Sequence, residues 1–346
     1  MNVWVRCIRG LEPVVAEEAR GLGLSVVDEA PRRIIVEARE AEMACRLRTA
    51  DDAYLLAMLG PPIGHTKAEL RHLAAMIDGV DGIDLRDRRD ERATRVEVTA
   101  SFVGRRNYNR FDIEDVVGAH LQGRLGVHYV SRRDEVPPVE GATSWRVHLD
   151  DDATLIGVRL APRPLHRRAY KQDALPGTLH PPVAAALVLL AVREARVPPS
   201  RLLDPACGSG TIGIEAAYVT AEFTITASDR RPDALVAASA NVRRAGVDVS
   251  VLQADGGHLP LPNRRVDAVV TNPPWGRQSP PTGALAGGLA PLWNEAARVL
   301  VPDGTLAVIG DRVMVDALAT AGMRRTAELE LSLMGSRVLL AAHALE

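Results

Sequence analysis

The second half of this sequence predicts an α/β fold built on a mostly parallel sheet, with smaller α+β units ahead of it. Three observations carry that prediction. Residues 202–217, LLDPACGSGTIGIEAA, run from an apolar strand through a Gly turn into a helix, the first crevice of a nucleotide-binding sheet. Short apolar runs at 224–228, 249–253 and 266–270 then read as successive buried strands. The first 59 residues carry a different order, β-α-β-β-α-β. At 346 residues the chain is long enough for two or three domains.

Residues 3–8, VWVRCI, alternate as a half-buried strand, and apolar residues at 11, 14, 15, 19 and 22 form a helical stripe. Runs 24–28 and 33–37 read as a strand pair, 41–47 as a helix and 53–59 as a strand, which completes a ferredoxin-like unit. Pro61-Pro62 marks its end, so the first domain is expected over 1–62. A second α+β domain is expected over 63–165. It would contain a helix at 67–77, a solvated charged loop at 84–92, a strand at 95–102 and a helix at 113–125 with Asp112 near its cap. A hairpin of 145–149 with 154–160 turns around Asp150-Asp151-Asp152.

Composition removes several classes of function. Cys7, Cys45 and Cys207 have no CxxC spacing, and the nine histidines form no HxxxH or HExxH pair. The sequence therefore suggests neither a disulfide framework nor a metal centre, and a reducing cytoplasm is the expected compartment. Met1-Asn2-Val3-Trp4 enters a strand directly, without a leader, and no apolar run has the length of a membrane span. Charge is balanced: residues 1–171 hold 27 Lys+Arg against 27 Asp+Glu, and the rest 15 against 17. A nucleic-acid surface must then come from local clusters. Residues 86–110 contain eight Arg and four acids, and residues 155–171 four Arg, one Lys and no acid. Arg105 and Arg106 in the first cluster, and Arg163, Arg167, Arg168 and Lys171 in the second, are the candidate phosphate contacts.

The third domain is expected over 166–346. A Pro-Gly turn at 174–178 leads to a helix at 181–195 with Pro at its start. In the Gly turn that follows, Gly208 and Gly210 permit positive φ and close approach to a ligand. There is no GxxxxGK[ST], so this is no P-loop, and Gly213 keeps a dinucleotide fingerprint open. The strand at 224–228 ends at Asp229, about twenty positions past the first Gly, where a carboxylate meets a ribose diol or caps the next helix. Further on come a Gly/Pro-rich loop at 279–288, a helix at 289–300, a strand at 305–309, a helix at 313–321 and a closing hairpin, 328–333 with 337–342.

Residues 271–276, TNPPWG, follow the strand at 266–270 and decide between the alternatives. An oxidoreductase has no use for this sequence there, whereas an enzyme methylating a planar exocyclic amine has. Pro273 and Pro274 fix φ and lack N–H donors, which leaves carbonyls as outward acceptors. Two acceptors, the Asn272 side chain and a Pro carbonyl, hold an NH2 group and draw its lone pair out of conjugation. Trp275 offers a face for a base, worth about 1–3 kcal/mol.

On these residues the C-terminal half resembles class I S-adenosylmethionine-dependent methyltransferases of the Asn-Pro-Pro-aromatic type. DPACGSGTIGIEAA, TNPPWG and the upstream RPLHRRAYKQDALPGTLHPPVAAALVLLA resemble the THUMP-domain guanine-N2 RNA methyltransferases, strongly over about residues 160–346 and more weakly before them, where GLEPVVAEEARGLG carries the likeness. The resemblance implies a Rossmann-like domain with a seven-stranded mixed sheet over 166–346, a THUMP-like RNA-binding domain over 63–165, and S-adenosylmethionine as cofactor. It implies that Gly177, Thr178, Asp204, Ala206, Gly208, Ser209, Gly210, Asp229, Asp255, Gly256 and Asn272 line the cofactor, with Asp204 near its ammonium and Asp255 on its adenine amine. Asn272, Pro273, Pro274 and Trp275 would be the catalytic loop. Cys207 is expected to be a packing residue. The implied partner is RNA, tRNA first and rRNA next. A DNA amino-methyltransferase, a protein-glutamine methyltransferase and a non-catalytic RNA-binding factor of the same fold stay open at this point.

Overall fold

The structure is a computed structural model that describes residues 1–78, 95–133, 142–220, 222–275, 280–333 and 335–345. The charged run expected at 84–92, and with it part of the first Arg cluster, lies outside the described residues. In chain order the first elements are β1 Asn2–Arg6, α1 Glu12–Gly21, β2 Ser25–Ala30, β3 Arg33–Glu37, β4 Asp52–Gly60, α2 Leu70–Asp78, β5 Arg95–Phe102, α3 Arg110–Leu125, β6 His128–Tyr129, β7 Thr143–Leu149 and β8 Thr154–Arg159. Then follow α4 Pro181–Glu194, β9 Arg201–Asp204, α5 Thr211–Val219, β10 Thr224–Asp229, α6 Pro232–Ala245, β11 Ser250–Gln253, β12 Val266–Thr271, α7 Ala290–Val299, β13 Leu300–Gly310, α8 Arg312–Asp316, β14 Met323–Leu333 and β15 Ser336–Leu345. The chain forms two compact units, Met1–Val5 with Ile35–Cys45 and Asp52–Pro164, and Arg6–Ile34 with Arg46–Asp51 and Leu165–Glu346.

In the first unit, strands follow the order β1-β4-β8-β7-β5-β6, with β7 parallel to β5 and antiparallel to β8. Leu73 and Ile77 of α2, and Ile113, Val117 and Leu121 of α3, pack on Val98, Trp145 and Val147 of the sheet, all but fully buried. Within each helix these positions repeat every four residues, which puts them on one face. The α3 cap is Asn109, whose side chain accepts from the Phe111 and Asp112 backbone N–H groups, while Asp112 returns a bond to the Asn109 N–H. This capping box places Asp112 near the cap, as expected, in its third helical position. The helix expected at 41–47 is a 3-10 turn over Ala41–Arg46. Six residues are too few to recover the cost of α-helix nucleation.

The second unit contains a seven-stranded mixed sheet in the order β11-β10-β9-β12-β13-β15-β14. β9 to β13 run parallel, and β15 is antiparallel to both β13 and β14. Chain order reverses at β9 and β12, so a crevice opens at their C-terminal ends, where Asp204 and Thr271 finish. Leu203, Val269, Leu292, Trp293, Leu306 and Val308 form its core against α7. Among the described residues no helix is long and apolar enough to cross a membrane.

Candidate active site

The crevice starts where β9 stops. Pro205 and Ala206 lead into the Gly turn, and Gly208 and Gly210 both take left-handed backbone, with φ of 52° and 81°. Those angles leave the turn with side-chain-free backbone facing the crevice. Gly210 has a second reason to lack a Cβ, since one would meet the Ala238 Cβ at 3.2 Å. Gly213, the apparent third Gly of a dinucleotide fingerprint, packs helix on strand: a Cβ there would meet Val249 at 3.2 Å and Ile225 at 3.4 Å. The Cys207 thiol is buried, and burial pushes its pKa up, the opposite of what a nucleophile needs.

Asp204 is 1% exposed. Its Oδ1 accepts from the Ala206 N–H at 3.2 Å, while the buried Oδ2 makes no hydrogen bond of full geometry among the described residues, with the Thr271 hydroxyl beside the carboxyl. Burial, reinforced by the Asp229 charge, raises its carboxyl to about 8. A buried acid with an unsatisfied oxygen fits a cationic ligand group such as an ammonium. Asp229 closes β10, and its Oδ2 accepts from the Gly208 N–H while Oδ1 accepts from the Arg231 N–H, both at 2.9 Å. It therefore ties the Gly turn to Arg231, the residue before α6. Each oxygen keeps a lone pair for a hydroxyl.

Asp255 is committed differently. Its Oδ1 accepts from Gly257 N–H and its Oδ2 from Ala284 N–H, each at 3.0 Å, and Arg230 Nε lies 3.4 Å away. These contacts anchor the 3-10 turn Gly283–Leu285 within the Gly/Pro-rich loop expected at 279–288, and Leu285 is buried there. Gly256 is a close-packing position, where a Cβ would meet Leu292 at 3.1 Å and the Pro205 carbonyl at 3.2 Å.

The Asn-Pro-Pro-Trp segment leaves β12 beside this turn. Asn272 Nδ2 donates to the Gly177 carbonyl at 3.1 Å, and Asn272 Oδ1 accepts from Trp275 Nε1–H at 3.2 Å. A donor on one side and an acceptor on the other define which way the amide points. Trp275 is half-buried against the core, Pro273 is buried and Pro274 half-buried. Gly276 lies outside the described residues.

Thr178 faces the Gly turn, with its hydroxyl 3.3 Å from the Ser209 hydroxyl. Two further groups hold the linker of residues 165–180 that leads into α4, and the sequence reading passed over both. Asn241 of α6, fully buried, donates to the Asp173 carbonyl at 2.8 Å and the Ser209 carbonyl at 3.0 Å. Glu215 of α5, also fully buried, takes Arg48 bidentately at 2.8 Å, Arg168 at 3.0 Å and the Tyr170 hydroxyl at 2.7 Å. Acid within an apolar helix is the available sequence signal for Glu215, since a buried acid requires partners.

The candidate RNA contacts divide. Arg105, Arg163 and Arg167 are exposed. Arg106 is not on a phosphate face: its side chain is 0% exposed and donates to the Ile63 carbonyl at 2.6 Å and the Tyr108 hydroxyl at 3.0 Å. Arg168 is likewise turned inward, 7% exposed, onto Glu215. Lys171 Nζ donates to the Leu179 carbonyl at 2.6 Å, and burial lowers its ammonium to about 8. Sequence counts positive residues, and only packing says which of them point outward. His180, given no role from sequence, lies with His166 and Asp51, and burial, ahead of the nearby charges, lowers its imidazole to about 4.

The comparisons with known proteins agree with this arrangement. Residues 168–338 match the UPF0020 family model, described as an RMKL-like methyltransferase domain, and residues 2–51 match the RlmL ferredoxin-like domain. A "tRNA (guanine(6)-N2)-methyltransferase" of Thermus thermophilus is 33% identical over 217 residues, 61% of this chain and 61% of that protein. A "Ribosomal RNA large subunit methyltransferase K/L" of Methylococcus capsulatus is 30% identical over 224 residues, 62% of this chain and 28% of that protein. The match thus spans less than two thirds of either relative. The crystal structure of TrmN from Thermus thermophilus superposes with a TM-score of 0.78 at 26% identity, over 100% of this chain and 99% of TrmN.

Proposed function

We propose that this chain, which belongs through residues 168–338 to the RMKL-like methyltransferase family and through residues 2–51 to the RlmL ferredoxin-like family, methylates the exocyclic N2 amine of guanosine in RNA, with tRNA as substrate. The observation that carries the reading is the Asn272 amide held between Gly177 and Trp275 at the end of β12, beside the Gly turn of β9. The Thermus relative's name, a tRNA guanine-N2 enzyme, favours tRNA.

S-Adenosylmethionine, when bound, supplies an electrophilic sulfonium methyl group. The residues that would hold it are Asp204 at the ammonium, the Gly208–Gly210 backbone, Asp229 at a ribose hydroxyl, and Gly177 and Thr178 from the linker. The unpaired Asp204 oxygen is the feature of the crevice most specific to a cation.

Guanine N2 is a weak nucleophile because its lone pair is delocalised into the ring. Asn272 Oδ1 spends one lone pair on Trp275 Nε1–H and keeps the second for an N2–H of the substrate. The Pro273 carbonyl is our choice for the other N2–H. Both acceptors stabilise the positive charge that develops on N2, and fixing the amine before reaction supplies most of the acceleration. Asn272 is neutral and takes no proton, so the proton leaves to water after transfer. A guanine within a helix has to be flipped out to reach these groups. A cytoplasmic location goes with this reading.

The test is methyl transfer from labelled S-adenosylmethionine to separated tRNA and rRNA from cells lacking the gene, with mass spectrometry of the nucleosides. N2-methylguanosine in the tRNA fraction is expected. Label confined to rRNA would reassign the substrate, and label in neither, with cofactor bound, would overturn the reading.

A further inference from the structure

We propose that Asp51, His166 and His180 form a binding site for one divalent transition ion of the kind imidazole prefers, Zn2+ or Co2+. One ring nitrogen of each histidine and a carboxylate oxygen of Asp51 lie within 4.8 Å of one another. The two rings stack, with centroids 5.2 Å apart and an interplanar angle of 29°. His180 Nδ1 is buried, has no hydrogen-bond partner among the described residues, and stands 3.8 Å from Asp51 Oδ1. His180 is also the residue before α4, yet its side chain makes no capping bond there. A polar side chain placed at a helix start without capping it is held there for something else.

His166 keeps one ring nitrogen free to serve as a ligand. Its Nδ1 lies 3.0 Å from the Asp51 main-chain carbonyl, so this nitrogen is the donor and Nε2 keeps its lone pair. Metal-bound imidazoles are commonly held by this contact of the second ring nitrogen with a carbonyl. Two ligands about 2.0–2.1 Å from a tetrahedral ion stand about 3.3 Å apart. The 3.8 Å between Asp51 and His180 is therefore about half an ångström too long, which side-chain rotation covers. Two imidazoles and one carboxylate suit zinc or cobalt and leave a position for water. Lys171 and Arg168 are the cations that act on His180 and oppose a further positive charge. Glu215 pairs with Arg168 at 3.0 Å and is also the acid that acts on Lys171.

Such an ion ties together three segments that sequence keeps apart: the residues before β4, the start of the linker, and the start of α4. His180 follows the turn that presents the Gly177 carbonyl to Asn272, so the ion stiffens one wall of the crevice. The site does not depend on the proposed methyl transfer, and its test reads no activity. The full chain, stripped with chelator, is titrated with Co2+ and followed by visible d–d absorption and calorimetry, then displaced with Zn2+. One equivalent with ligand-field bands is expected, and a loss of at least tenfold in affinity in His166→Gln and in His180→Gln, each checked for cooperative thermal unfolding. If one variant fails to fold, Asp51→Asn replaces it. Absence of stoichiometric uptake by the native chain overturns the proposal, as does unchanged uptake by a folded variant.

Discussion

Trp275 Nε1–H donates to Asn272 Oδ1 at 3.2 Å, so the aromatic residue of the Asn-Pro-Pro-Trp segment orients the amide proposed above to hold the substrate. Trp275 thus has a second task besides offering a face to a base. The two tasks separate in Trp275→Phe, which keeps a ring and removes the donor. We expect kcat to fall about threefold to tenfold, matching a hydrogen bond of about 0.5–1.5 kcal/mol, with KM for RNA within about twofold. Trp275→Ala should raise KM as well. Steady-state kinetics of the two variants decide this, and native kinetics for Trp275→Phe would remove the orienting role.

Asn272→Ala removes the acceptor and also the bond to the Gly177 carbonyl. Turnover should be lost while cofactor affinity stays within a few-fold of native. Calorimetry with S-adenosylmethionine or its product reports the second part. Joint loss of both would mean a disrupted fold and no support for the assigned role.

With Asp204 at the cofactor ammonium, as proposed, cofactor affinity should depend on pH. Burial holds its carboxyl neutral in the free chain up to about pH 8. A bound ammonium favours the carboxylate, so binding expels a proton below that pH. Affinity should rise as pH climbs toward 8 and then level off, and Asp204→Asn should weaken binding and flatten the profile. Calorimetry in two buffers of different ionisation heat counts the proton. The same group acts on stability with a definite sign. Its folded pKa is above the unfolded value of about 3.9, so its stabilisation of the free chain is present below that value and lost as pH rises through 8.

Arg167 and Arg168 are neighbours with opposite fates, the first exposed and the second 7% exposed on Glu215. Arg167→Ala should leave thermal stability unchanged and lower the salt dependence of RNA binding by about one unit of slope. Glu215→Ala leaves Arg48 and Arg168 without their buried partner and should cost about 3–5 kcal/mol in denaturant unfolding. Equal stability of the two variants would mean that the Glu215 cluster is not structural.

Much of this protein was decided by local sequence. The strand, Gly turn and helix at 202–217 follow from apolar runs and from two glycines that alone tolerate φ of 52° and 81°. The strand at 95–102 and the start of α4 follow from alternation and from Pro at the first helical turn. The candidate catalytic segment was legible as two prolines and an aromatic after a buried strand. Such signals are short in range, since each depends on residues within about one turn of one another.

The tertiary structure decided how charge is used and what the motifs touch. Arg106 and Arg168 look the same in sequence as Arg105 and Arg167, yet they turn inward because Ile63 and Glu215 offer acceptors from far along the chain. Asp51, His166 and His180 share no spacing that a motif search reads, and they meet because separate segments of the second unit converge there. Asn272 was legible as a residue, but its orientation by Gly177 and Trp275 was not. Periodicity and glycine conformation are properties of a local stretch of chain. The direction of a long polar side chain is set by whichever partner can satisfy it once water is excluded, and that partner exists only in the folded protein.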